Sequence, residues 1–236
     1  MNRLLIFIGL FCVFFHKIAI SSETFGPYES RLIFDGDKKN ITYRIDNSGK
    51  LVWLVQGWVE DVKENKTNIF NVVPSLFRVE PKSQYTARVV KNGDLPEDRE
   101  SIFWIVSNSL PGGNKGDNEG RVKEDSIDAK LNLAFRYKVP MIYRPASLGN
   151  IAQKPEKLQW KKNSNGKVKL FNPTNFAVQL QYVSINGIRK DGQGITYIIA
   201  PYTGVELNLK ANSGTKIKYG VINDYGAVQE YEGAVE

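Results

Sequence analysis

The sequence has a single cysteine and a single histidine in 236 residues, and both, Cys12 and His16, lie near its start. That start reads as a secretory signal peptide, residues 1–21: a basic opening, Met1-Asn2-Arg3, the apolar run LLIFIGLFCVFF, and small residues at Ala19 and Ser21 that suit cleavage. The run is too short to favour a membrane-spanning helix. Once it is removed the chain keeps no thiol and no imidazole. That excludes Ser-His-Asp and Cys-His catalysis as well as thiolate or imidazole zinc sites. An exported chain without disulfides must take its stability from core burial. Basic runs are also lacking. Removing Arg3 and Lys17 takes the formal charge from +7 to +5, a mild excess that, with no recognisable nucleic-acid module, argues against nucleic acid as a partner.

No long stretch shows a 3.6-residue apolar period, whereas period-two runs recur between turn-rich joints. Candidate strands are ITYRID from Ile41, LVWLVQGWV from Leu51, SQYTARVV from Ser83, SIFWIVSN from Ser101, GKVKLFN from Gly166, AVQLQYVSI from Ala177, ITYIIA from Ile195, VELNL from Val205 and TKIKYGVIN from Thr215. The fold class is therefore all-β. The segment Pro145–Pro155 separates two strand clusters and reads as an interdomain joint, dividing the chain into residues 22–147 and 152–236, each the size of an antiparallel sandwich. Trp58 and Trp104 are expected in the core. Residues 112–130 are glycine-rich and charged and are expected to form a mobile surface loop; Asp117 and Glu119 lack calcium-loop spacing, so no metal or other cofactor is expected.

The most informative stretch is IDAKLNLAFRYKVPMIYRP, residues 127–145, in which every odd position from Ile127 to Tyr143 is apolar or aromatic. Strands usually run about 5–6 residues, and at about 3.3 Å per residue this one would span roughly 60 Å, more than a small sandwich covers. Part of it should lie outside its own core. An apolar strand without a partner invites pairing with another chain, so this protein is expected to lend a strand.

Three stretches in order, RLIFDG from Arg31, LPEDRESIFWIVSNSLP from Leu95 and LNLAFRYKVPMIYRP from Leu131, joined by NPT from Asn172 and INDYG from Ile222, give a chain that resembles the periplasmic pilus-assembly chaperones of the chaperone-usher pathway. The resemblance covers nearly all of the mature chain. It implies two immunoglobulin-like β-sandwich domains in an L or boomerang arrangement, located in the periplasm. Such a protein binds fimbrial subunits by inserting its own strand into their open groove and delivers them to an outer-membrane usher. By this resemblance Leu131, Leu133 and Phe135 are the donor side chains, with Ile127 and Ala129 extending the row. Arg31 matches the arginine that anchors the subunit carboxylate, and Glu100, Arg144 and Asp224 match an interdomain charge network. The chain departs from the family at Pro140, where an anchoring lysine is usual. Lys138, on the same face and nearer than Arg136, is the expected substitute. The long segment before the donor strand resembles one branch of the family, yet that branch often carries a disulfide there, so the branch stays open.

The resemblance implies no enzymatic activity. The alternative is an exported two-domain fimbrial or adhesin component that donates a strand permanently; it would polymerise at the cell surface. A two-carboxylate hydrolase has no carboxylate pairing to support it, since Arg99 sits among Glu97, Asp98 and Glu100. An exposed apolar row also makes self-association of the free protein an expectation to test.

Overall fold

The computed structural model describes residues 23–112 and 133–236. The expected signal peptide, the expected loop and the donor positions Ile127, Ala129 and Leu131 lie outside the described residues. The first unit contains β1 (Phe25–Pro27), β2 (Leu32–Asp35), β3 (Asn40–Asn47), β4 (Trp53–Glu60), β5 (Phe70–Val73), β6 (Leu76–Val79), β7 (Ser83–Lys91), β8 (Ser101–Pro111) and β9 (Phe135–Arg144). The second contains β10 (Gln159–Lys162), β11 (Lys167–Phe171), β12 (Val178–Ile185), β13 (Ile188–Asp191), β14 (Tyr197–Ile199), β15 (Gly204–Lys210), β16 (Lys216–Ile222) and β17 (Val228–Ala234). Each is a two-sheet sandwich. The first packs β1-β3-β7-β5 against β2-β9-β8-β4-β6, and the second packs β10-β11-β15 against β13-β12-β16-β17, with β14 also on β12.

Alternation builds both cores. In β4, Trp53, Val55 and Val59 are buried while Leu54 and Gln56 face out, the period of two that a sheet with one solvated face requires. Gly57 takes an inward place because the sheets approach closely: a Cβ there would stand 2.9 Å from Val72. Phe34, Tyr43, Ile45, Phe70, Phe103, Met141 and Tyr143 complete the first core, each large side chain contributing about 1.5–3 kcal/mol of burial. Tyr43 keeps its hydroxyl satisfied against Ser107 at 3.0 Å. Trp160, Leu170, Leu180, Leu207 and Tyr219 centre the second core.

The expectation that Trp58 and Trp104 fill the core does not hold. Both are half-buried on the outer face of their sheet, because the period that sends Trp53 and Ile105 inward sends them outward. Arg136 lies over the Trp58 ring and Lys138 over the Trp104 ring, each 5.5 Å from the centroid.

The chain enters the first unit on one sheet and changes to the other between β1 and β2. As a result β2 runs parallel to β9, pairing Leu32–Asp35 with Met141–Arg144. On its other side β9 is antiparallel to β8 from Phe135↔Ser109 to Tyr143↔Ser101. The joint between the units holds two short 3-10 turns, Ala146–Leu148 and Pro155–Lys157. A small apolar cluster, Ile102 and Ile142 with Ala177, links the units beside it.

Candidate functional site

The two ends of β9 differ in kind. Val139, Met141 and Tyr143 are buried in the first core, whereas Phe135 is 37% exposed and Leu133 51% exposed. The same inward row thus runs out of its own core. Among the described residues no strand pairs with Phe135–Pro140 on the side away from β8, since β2 begins only at Met141. Pro140 sits one residue before that contact. Having no N–H to donate, it fits the end of a ladder and a strand edge. The Phe135 ring lies 5.3 Å from Trp53 and 6.0 Å from Tyr137, and Tyr137 donates to the Phe25 carbonyl at 2.6 Å. A cavity of about 420 Å³ opens between Phe25, Leu51, Trp53, Phe135 and Tyr137. A second, of about 470 Å³, lies along the same edge between Pro27, Tyr28, Tyr137 and Val139. The first cavity is lined largely by apolar and aromatic side chains, the second also by Glu29, Asp46 and Lys138; an open backbone edge flanked by side-chain pockets is the geometry of strand addition.

Glu100, Arg144 and Asp224 come together as a network between the two units. Arg144 donates Nε to Glu100 at 2.6 Å and forks onto Asp224 through Nη1 at 2.6 Å and Nη2 at 3.0 Å. The second Glu100 oxygen accepts the Ala177 N–H at 2.6 Å. That N–H is delivered by the NPT turn: Asn172 donates to the Phe176 carbonyl at 2.7 Å and accepts from the Thr174 hydroxyl at 2.7 Å. The motif therefore shapes the loop that meets Glu100. Burial pushes the Glu100 carboxyl up, Arg144 offsetting part of this. Burial also pushes Asp224 up, but the hydrogen bonds and charge of Arg144, with Arg31 behind them, hold it below the usual carboxylate range. Burial disfavours the Arg144 guanidinium, and its two carboxylates more than restore it.

Arg31 lies beside this network, its side chain only 6% exposed. Nη1 donates to the carbonyls of Ile222 and Asn223 at 3.0 and 3.1 Å, and Nη2 stands 3.6 Å from Asp224. Nε and Nη2 have no hydrogen-bond partner among the described residues. Burial lowers the Arg31 pKa, the charges of Asp224 and Glu100 working against it; an arginine stays charged all the same.

Lys138 is engaged elsewhere. It pairs with Glu60 at 3.1 Å and Glu64 at 2.9 Å on the outer face, and shares no hydrogen-bonding or ion-pair partner with Arg31. Burial works against its ammonium, yet Glu64 and Glu60 outweigh that and raise its pKa. From the sequence, Lys138 is the expected substitute anchor because it shares the strand face of Pro140, and Glu60 is far away in the chain. Only the β4-β8-β9 order brings the two together.

Comparison with known proteins adds an independent line. Residues 24–149 match the family model described as pili and flagellar-assembly chaperone, PapD N-terminal domain. Residues 153–233 match pili assembly chaperone PapD, C-terminal domain. The chain is 30% identical over 232 residues to the probable fimbrial chaperone LpfB of Escherichia coli O157:H7, covering 95% of this chain and 94% of that one. It is 31% identical over 208 residues to the chaperone protein LpfB of Salmonella typhimurium, covering 84% and 82%. Among solved structures it resembles a chain of the Salmonella enterica SafA pilin and SafB chaperone complex, with a TM-score of 0.73, 26% identity and 92% and 98% coverage. It also resembles the Pseudomonas aeruginosa CupB2 chaperone, with a TM-score of 0.70, 25% identity and 89% and 100% coverage.

Proposed function

This chain belongs to the pili assembly chaperone family defined by the PapD N- and C-terminal domains, and we propose that it captures fimbrial subunits by lending them the free edge of β9. The observation that carries this reading is a strand whose inward row leaves its own core at Phe135 while, among the described residues, its backbone edge stays unpaired as far as Pro140. A subunit strand added there gains main-chain hydrogen bonds of about 0.5–1.5 kcal/mol net each. Covering the remaining exposed parts of Leu133 and Phe135 adds about 1 kcal/mol apiece. Ile127, Ala129 and Leu131 would continue the row into the subunit groove.

Arg31 is the proposed carboxylate anchor. Its Nε and Nη2 are buried without a hydrogen-bond partner among the described residues, Nη2 standing 3.6 Å from Asp224; this is the side of a guanidinium that donates two parallel hydrogen bonds to a carboxylate, so a docking carboxylate has to open it, while Nη1 stays fixed to the second unit. Lys138 is neutralised by Glu60 and Glu64, so the expectation of a second anchoring charge there is revised and Arg31 carries the role. Glu100, Arg144 and Asp224 fix the relation of the two units, divided at residues 147 and 152.

Handing a subunit on needs a second surface, and one lies beside the donor end of β9, where Leu54, Leu76 and Leu110 line a cavity with Ala134, Phe135 and Arg136. On the outer face of the same sheet Leu54 and Leu110 form a cross-strand pair. With Leu76 they are 44%, 55% and 56% exposed. We assign the outer-membrane usher to this patch. The family membership supports work in the periplasm, and the basic start and apolar run of the sequence support removal of residues 1–21 on the way there. Purifying the tagged protein from periplasmic extract should recover a fimbrial subunit in near-equal amount, and Leu133→Glu should lose it by placing a charge in the apolar groove. Unaltered recovery by Leu133→Glu would refute the donor assignment.

A further inference from the structure

Among the described residues, pairing with β8 alone holds the donor half of β9 from one side, yet its outward residues Arg136 and Lys138 both reach across β8 to one buried carboxylate, Lys138 also pairing with the exposed Glu64 at 2.9 Å. Glu60, on β4, is 4% exposed at its side chain and lies 2.6 Å from Arg136 Nη2 and 3.1 Å from Lys138 Nζ. Its Oε1 also accepts the Trp58 indole N–H at 2.8 Å. In register, Arg136 stands opposite Asn108, Lys138 opposite Val106 and Pro140 opposite Trp104, while Glu60 is opposite Trp104 on the far side of β8. The two cations therefore slant along the outer face toward one point. Between them and Glu60, Val106 is fully buried. Burial pushes the Glu60 carboxyl up, but the Trp58 hydrogen bond and the charges of Lys138 and Arg136 hold it below its ordinary value.

We propose that Glu60 is a positioning residue that keeps the free donor strand ordered and in register by gathering Arg136 and Lys138 on its outer face, leaving the inner face open for a subunit. Fixing a residue costs about 1–2 kcal/mol of backbone entropy, and a strand ordered beforehand spares the binding step that cost. The place matters: Pro140 ends the stretch in which β2 gives no support, and the clamp acts on the two outward residues just before it. This deepens the donor-strand reading and rests on it for capture, though not for the ordering itself.

The test uses the intact protein, two disrupting variants and a conservative one: Glu60→Ala, then the double variant Arg136→Met with Lys138→Met, which keeps apolar stems over Val106 if the first fails to fold, and Glu60→Gln. Amide exchange in the free protein reads the order of β9, and the rate of complex formation with a purified fimbrial subunit reads capture. We expect the β9 amides bonded to β8 to exchange at least tenfold faster, those of β16 to stay unchanged, and capture to slow several-fold. Glu60→Gln, which still accepts from Trp58 and Arg136, should restore part of both. Unchanged β9 exchange in both disrupting variants would overturn the positioning role. Faster exchange with an unchanged capture rate would overturn its link to capture. A wild-type protein that captures no subunit would instead refute the donor-strand reading and leave the ordering result standing.

Discussion

Replacing Arg144 by methionine should be the most damaging single change at the contact between the two units, and it should be worse than Asp224→Asn by a margin the geometry sets. Methionine keeps an apolar stem near Phe176, whose ring the guanidinium now covers at 5.5 Å, so the loss is mainly electrostatic. Glu100 has a fully buried side chain and would keep only the Ala177 N–H as a partner. Leaving a buried charge unpaired costs about 3–5 kcal/mol. Glu100 can limit that by taking up a proton, because burial already pushes its carboxyl up, and about 3 kcal/mol at neutral pH is the expected loss. Asp224 is 31% exposed, and an asparagine there still accepts one hydrogen bond, so Asp224→Asn should cost only about 1 kcal/mol. For a chain of this size the two losses correspond to falls in Tm of about 6–12 °C and about 2–4 °C by calorimetry at pH 7. The pH dependence has a definite sign. A raised carboxyl contributes stability that is fully present below its ordinary value of about 4.3 and lost as pH rises through its folded value. Without Arg144 that folded value rises further, so the Arg144→Met deficit should shrink toward pH 4. Equal losses for the two variants, or a deficit that grows on acidification, would refute this view of the network.

Arg31→Lys keeps the charge but not the fork, and should weaken subunit affinity at least tenfold while Tm falls by only a few degrees; unchanged affinity in a binding titration would remove Arg31 as the anchor. Asp224 is held below the usual carboxylate range, so its contribution is present above about pH 4 and is lost as pH falls through its folded value. Residual dipolar couplings should accordingly report a constant relation of the two units from pH 7 to 5 and loosening below pH 4, and loosening already at pH 6 would contradict the assignment. Leu54→Asp combined with Leu110→Asp should leave the subunit complex intact and abolish its binding to the usher. Intact usher binding would move that contact elsewhere.

Much of this was legible in the sequence because period two is a direct readout of burial. The strands that opened on alternating residues, such as ITYRID and LVWLVQGWV, were placed from the pattern alone. Strands without an apolar row were not. β17, VQEYEGA, is almost wholly exposed, and β13, IRKD, entirely so, so neither leaves a burial signature. The long odd-numbered row pointed to β9, but not to the residue where core gives way to open edge, which depends on where β2 stops. Arg144 lies between Glu100 and Asp224 as the family resemblance implied, although their spacing in the chain, 44 and 80 residues from Arg144, carries no such signal by itself. Lys138 and the two outward tryptophans were misread for one reason: their surroundings are set by strand order across the sheet, which no local pattern records. Glu60 escaped notice for the same cause.

The central claim is that the emerging end of β9 enters a subunit, and the most direct measurement is site-specific cross-linking in the native cells. A photo-reactive phenylalanine analogue would replace Leu133, Phe135 or, as a control, Ile188 on the second unit, which is 68% exposed. Adducts with a fimbrial subunit from Leu133 and Phe135, and none from Ile188, are the predicted result. Subunit still captured without adducts at either position, or adducts formed only with a second copy of this chain, would contradict the account.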